Sequence, residues 1–164
     1  MTSDVISAVL SRLEAQCAKR EYCVSDVRAK AVKALMDAAL KLGEEPDDVR
    51  SDADALVSKL VADGYVSDLR YASAFAREKA SLTGWGPVKI RFALSAKGIS
   101  REVIDSALGE IDADKADGRL ERLLAAKART LEGDPQAKLK LLKFALSRGY
   151  EYDAVSAAVD AALK

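Results

Sequence analysis

The sequence predicts an all-α protein, a tandem array of three three-helix repeats, elongated and curved. Three observations lead there. Of the 164 residues 49% are apolar but only 5% are aromatic. Ala, Leu, Lys, Arg, Asp and Glu dominate; helix formers are abundant and strand formers few. The best-punctuated stretch, residues 67–108, shows no alternation of period two. Finally, the ends of candidate helices repeat. Ala39-Leu40-Lys41-Leu42-Gly43 matches Ala145-Leu146-Ser147-Arg148-Gly149, and residues 94–98 make a looser third copy. Gly43 and Gly98 are 55 residues apart, and Gly98 and Gly149 are 51 apart. A period of about 50 residues with three helices per unit is the mark of a short helical array. The repeats are read as 1–64, 65–113 and 114–164.

In the first repeat, Arg12-Leu-Glu-Ala-Gln-Cys-Ala-Lys19 lies on the first helix. Its second helix runs over about residues 25–42, and its third over 46–63, ending at Gly64-Tyr65. In the second repeat a helix opens at Ser67-Asp68, where a hydroxyl or carboxylate can accept from the free N–H groups of a first turn. It stops before Thr83-Gly84. The next opens at Gly86-Pro87, since Pro fits the first helical position, and closes at Lys97-Gly98. Ser100 caps the third, which ends near Gly109. Tyr71 and Phe75 are placed on the core side of the first of these helices. In the last repeat Arg122-Leu-Leu-Ala-Ala-Lys-Ala-Arg129 copies the basic and Ala positions of Arg70-Tyr-Ala-Ser-Ala-Phe-Ala-Arg77. Leu120, Leu123, Leu124, Ala128 and Leu131 form an apolar stripe, and Asp134-Pro135 opens the following helix. In this parsing all nine glycines stand at or near element ends.

Little here suggests catalysis. The chain has no histidine, the commonest general base and metal ligand. Cys17 and Cys23 form neither a zinc site nor a disulfide framework, which indicates a reducing compartment. Cys17 reads as core; Cys23 stands in a turn where it could reach solvent. The acidic run over residues 44–54 lacks the Gly and terminal Glu of a calcium loop and reads as a solvated helix start. Gly84-Trp85-Gly86 has no strand before it and no Gly-Lys-Ser, so it reads as a helix–helix turn. Trp85 within it is either a plug over the core or an exposed contact. No apolar run is long enough to span a bilayer, and the N-terminus does not resemble a signal peptide. The expectation is a cytoplasmic monomer with no catalytic residue, cofactor or metal.

Charge arrangement is the informative feature. Lys plus Arg and Asp plus Glu are both 26, with pI near 6.4, so a simple polyanion binder is not indicated. Locally the signs separate. Residues 69–101 carry a net of +6 and residues 119–148 a net of +5, while residues 44–54 and 102–117 each carry −5. First and second helices are thus basic and third helices acidic. A solvated face is the bland reading of one such run. Recurrence in phase argues for more: Arg70 and Arg77 are seven apart, as are Arg122 and Arg129, each pair on one helical stripe. Like charges on one face slightly destabilise a helix, and solubility does not need them. Arg70, Arg77, Lys89, Arg91, Lys97, Arg122 and Arg129 are therefore read as a partner-facing band.

The motifs themselves resemble a known family. Ser67-Asp68-x-Arg70-Tyr71-Ala72, Phe75-x-Arg77-x-Lys79, Gly84-x-Gly86, Lys89-Ile90, Leu94-x-x-Lys97-Gly98-Ile99 and Ile104-x-x-Ala107-Leu108 resemble the RecX family, bacterial regulators of the RecA recombinase. Phe144-x-x-x-Arg148-Gly149-Tyr150 is similar to the family's terminal motif. Near the start, Cys23, Asp26 and Val27 stand where the family has Ser, Glu and Leu. The resemblance implies a non-enzymatic regulator, an inhibitor, that lies along the RecA filament on DNA. It implies modulation of ATP hydrolysis and strand exchange, within recombination, DNA repair and the SOS response. The alternative is a direct, non-sequence-specific nucleic-acid-binding module whose arginines contact phosphates. An inert helical scaffold is the third possibility.

Overall fold

The computed structural model describes residues 2–45, 48–111 and 113–164, without the side chains of Ala113, Asp114, Ala116 and Asp117. Parts of both acidic runs, at Pro46, Asp47 and Asp112, lie outside the described residues. Among the described residues there are nine α-helices and no strand. They are α1 (Ser3–Lys19), α2 (Val24–Leu42), α3 (Val49–Ala62), α4 (Asp68–Leu82), α5 (Pro87–Ala96), α6 (Arg101–Gly109), α7 (Ala113–Thr130), α8 (Ala137–Ser147) and α9 (Tyr152–Ala162). The expected all-α class is what the chain adopts. Its contacts divide it into two compact units. One reaches to Tyr71 and takes in Lys97–Ile99; the other comprises Ala72–Ala96 and Ser100–Lys164.

In the first unit, apolar residues four apart build the core. Val9, Leu13 and Cys17 of α1 meet Val27, Ala31 and Leu35 of α2 and Val49, Ala53, Leu56, Val57 and Leu60 of α3. Each fully buried large side chain among them contributes roughly 1.5–3 kcal/mol. Burial, then the nearby Glu21 carboxylate, pushes the Cys17 thiol up, so it stays protonated and unreactive. Cys23 corrects the sequence reading: it is fully buried. The cause is a set of ties at the start of α2. The Val24 N–H donates to Asp68 Oδ1 at 2.8 Å and Ser25 Oγ donates to the Lys97 carbonyl at 2.6 Å. Lys97 Nζ reaches both carboxylate oxygens of Asp26, at 3.1 and 3.0 Å. These contacts bring two distant segments over the turn and cover Cys23. They also divide the work expected of Ser67-Asp68. Ser67 Oγ accepts from the Arg70 N–H and caps α4, whereas Asp68 satisfies an N–H of α2.

In the second unit α5 packs on α6, and α7, α8 and α9 pack on one another. Leu120, Leu124, Leu141, Ala145, Tyr150, Val155 and Val159 form the buried cluster, with Leu123, Ala128 and Leu131 against it, so the predicted stripe faces a core. Three local expectations need correction. The buried residues of α4 are Ala72, Ser73, Ala76 and Ala80; Tyr71 and Phe75 are only half-buried. The helix turns its small residues inward, one position out of phase with the aromatic pair. Gly118 lies inside α7 rather than at an end. The Arg122 guanidinium folds back over it, with Nη1 3.1 Å from where a Cβ would stand. And α8 begins at Ala137, because Asp134 Oδ1 accepts from the Gln136 N–H at 2.8 Å and holds Pro135 in a preceding turn.

The glycine terminators are left-handed where the repeat demands it: Gly43 has φ 66°, Gly98 φ 75° and Gly149 φ 92°. At Gly98 an added Cβ would meet nothing within 4 Å, so only the backbone conformation resists substitution. Gly98→Val is expected to cost on the order of 1–2 kcal/mol in urea denaturation. Ala125, exposed in α7, should lose well under ~1 kcal/mol on the same change. Equal losses at the two sites would contradict this account of the helix end.

Candidate functional site

The seven predicted band residues fall into three situations. Three are held by carboxylates. Arg70 Nε lies 3.1 Å from Glu21 Oε1, and its Nη2 donates to the Gly64 carbonyl at 2.8 Å. Arg91 Nη2 is 2.7 Å from Asp105 Oδ1. Lys97 is bound to Asp26, and that hydrogen bond holds its ammonium pKa above the ordinary lysine value. A second group is free. Arg77, Arg122 and Arg129 are exposed and make no ion pair among the described residues. Lys89 makes the third case, held by an aromatic ring.

That ring is Trp85, and the local sequence explains its place. At the end of α4 the Thr83 hydroxyl and the Trp85 N–H both donate to the Lys79 carbonyl, at 2.7 and 3.0 Å. Gly84, at φ 69°, permits the wrap. The Tyr150 hydroxyl donates to the Gly84 carbonyl at 3.2 Å, and burial pushes that phenol up, so it remains a donor. Trp85 is therefore fixed from both sides. Phe75 meets its ring edge-on, with centroids 6.2 Å apart and planes at 71°. Lys89 Nζ lies 4.5 Å from the ring centroid and Lys79 Nζ 4.9 Å. Each such contact is worth roughly 0.5–1 kcal/mol at an exposed site. One indole thus gathers two ammonium groups. Trp85 also lines an apolar cleft of about 260 Å³ with Ile90, Leu120 and Tyr150. Trp85 is half-buried, between the two placements considered for it, and it gathers the two ammonium groups at its ring. Lys79 was counted among the basic residues of the sequence but not placed in the band; its spacing from Trp85 gives no signal until the turn folds.

The alternation of sign has an internal use as well. Arg28 of α2 pairs with Asp54 of α3 at 2.6 Å, Arg91 of α5 with Asp105 of α6, and Lys138 of α8 with Asp160 of α9 at 3.2 Å. One ion pair ties each second helix to the third helix that follows it. Being exposed, such pairs add no more than about 1 kcal/mol each. They account for part of the charge pattern without any partner. Among the described residues no three His, Cys, Asp or Glu side chains converge to hold a metal, and no helix is long and apolar enough to cross a membrane.

Comparison with known proteins agrees with the helical geometry. The model of the second three-helix domain of RecX matches residues 67–108. Regulatory protein RecX of Shigella sonnei strain Ss046 is 31% identical over 148 residues, covering 87% of this chain and 84% of its own. The protein of the same name from Escherichia coli strain K12 / DH10B has the same identity and coverage. Among solved structures, RecX from Lactobacillus salivarius superposes with a TM-score of 0.79 at 18% identity, covering 98% of both chains. A second regulatory protein RecX superposes at 0.75 and 18% identity, over 96% of this chain and 73% of that one. At that identity the solved structures speak for the fold alone, whereas identity over nearly the whole length speaks for descent: the chain belongs to the RecX family of regulatory proteins.

Proposed function

We propose that this chain is a non-enzymatic regulator of the RecA recombinase. It docks along RecA assembled on DNA and damps ATP hydrolysis and strand exchange. Three repeats, over 1–64, 65–113 and 114–164, present their basic residues to the filament, and the chain works as a cytoplasmic monomer. The observation that carries this reading beyond family membership is the set of uncommitted arginines. Arg77, Arg122 and Arg129 are exposed and have no carboxylate partner among the described residues. The fold does not need them there, and like charges on a helix face cost a little stability. A negatively charged partner gives them a use.

The test is the ATPase rate of RecA on single-stranded DNA with and without this chain. The expected result is a dose-dependent fall that saturates at less than one chain per RecA protomer, as an array of repeats bridging several protomers requires. A rate unchanged at a several-fold molar excess would sink the proposal. The nucleic-acid reading makes a different forecast. It expects naked single-stranded DNA to bind as tightly as the filament does, with a steep salt dependence.

A further inference from the structure

Within the second compact unit, two aromatic rings gather four cations where the end of α8 crosses the start of α5. Trp85 holds Lys79 and Lys89 over its ring. Phe144 of α8 holds two more: Lys127 Nζ stands 5.2 Å from its ring centroid and the guanidinium carbon of Arg148 5.1 Å. The two groups adjoin through the backbone. The Gly86 N–H, next to Trp85, donates to the Arg148 carbonyl at 2.7 Å, and the Cβ of Lys89 lies against Gly149. Elsewhere in this unit cations brace the fold by meeting carboxylates, Arg91 on Asp105 and Lys138 on Asp160. These four do not. Their side-chain N–H groups have neither a carboxylate nor another acceptor among the described residues. Neither α5 nor α8 contains a carboxylate. All four side chains are half-buried, so each has given up part of its hydration. Two cations drawn to one ring also repel each other, a cost that packing alone does not require.

The apolar cleft of about 260 Å³ opens on the same ring, with Trp85, Ile90, Leu120 and Tyr150 in its wall. It is smaller than the pockets of roughly 300–1,000 Å³ that enclose a drug-sized ligand, and suits a side chain. Arg119 and Glu151 also line it; Glu151 is the one carboxylate there and pairs with none of the four cations. We infer that this face of the second unit docks an acidic protein segment that carries a large apolar side chain. Carboxylates of the segment accept from Lys79, Lys89, Lys127 and Arg148, and the apolar side chain enters the cleft beside Trp85. Charge complementarity selects an acid. The rings already hold cations, so a stacked nucleobase would have to displace them. The inference rests on the functional reading above in one respect, that RecA supplies the segment. The exposed arginines then steer approach and set the salt dependence, while an apolar anchor within a polar surround holds the complex together.

Trp85 is the sole tryptophan, so its emission reports occupancy of the site. The full chain is titrated with a glutamate–leucine copolymer, with polyglutamate and with oligodeoxythymidylate, each alone and in competition with RecA filaments on single-stranded DNA. The copolymer should perturb the emission saturably, bind about 10-fold more tightly than polyglutamate, and displace the chain from filaments. Lys79→Gln/Lys127→Gln should weaken binding to copolymer and filaments alike by about 10-fold or more, with the melting temperature lowered by no more than a few degrees. Lys79→Arg/Lys127→Arg should keep most of the affinity. Lys138→Gln, which removes a cation paired with Asp160, should change neither interaction. Unmoved emission, or a glutamine variant that binds the copolymer like the wild type, overturns the site. Copolymer binding by a chain that fails to bind filaments overturns the functional reading and leaves the site standing. Copolymer binding that leaves filament binding untouched overturns RecA as the source of the segment. Oligodeoxythymidylate that binds more tightly than the copolymer, and loses as much in the glutamine variant, overturns the acidic segment in favour of nucleic acid.

Discussion

Gly149→Val is expected to disrupt the second compact unit, with a loss on the order of 4 kcal/mol or more in urea or thermal denaturation. Two penalties combine at this residue. Its φ of 92° is one that a β-branched side chain resists, and any Cβ there would overlap the Cβ of Lys89 and come within 2.6 Å of its backbone nitrogen. Backbone cannot swing aside as a side-chain end can. The contact is mutual. A Cβ on Gly86 would stand 2.5 Å from the Gly149 carbonyl oxygen. The Gly86 N–H donates to the Arg148 carbonyl at 2.7 Å and the Val88 N–H to the Gly149 carbonyl at 2.8 Å. Carbonyls just beyond α8 thereby satisfy donors at the start of α5, and the two glycines allow the approach. Even Gly149→Ala should fail here, whereas Gly98→Ala should cost only about 1 kcal/mol. Equal losses for the two alanine variants would show that the backbone crossing yields easily, and would remove the reason for a glycine at 149 beyond its dihedral angle.

The comparison of these two glycines shows what could be read in the sequence. The positions of the left-handed terminators, the caps at Ser67 and Ser100 and the leucine stripe of α7 all follow from local rules, and local rules are visible in a string of residues. Contacts between distant segments are not. Nothing near Cys23 announces that Asp68 and the residues around Lys97 will close over it. Nothing near Gly149 announces Lys89. The candidate site divides in the same way. The exposure of Arg77, Arg122 and Arg129 was legible from spacing, because an exposed stripe is a local property of one helix. The commitment of Arg70 to Glu21 and Gly64, of Lys97 to Asp26, and of Lys79 and Lys89 to Trp85 depends on partners that spacing cannot supply.

These commitments decide which charge reversal tests the proposed surface cleanly. Arg70→Glu would set a carboxylate beside Glu21 and remove the donor from the Gly64 carbonyl, so lost stability and lost binding would be confounded. Arg77→Glu with Arg122→Glu avoids this, since both side chains are exposed and free of ion pairs among the described residues. Helicity and melting temperature should be close to those of the wild type. Binding to RecA filaments should fall about 100-fold or more at low salt, because each reversal replaces an attraction with a repulsion. The loss should shrink as salt is added, since exposed charges are screened over about 8–10 Å near physiological ionic strength. The remaining binding should therefore depend less on salt than that of the wild type. ATPase titrations in the same buffers should follow, with inhibition by the double variant requiring a correspondingly higher concentration. Should the double variant bind and inhibit like the wild type at low salt, the arginines would be no more than a solvated face.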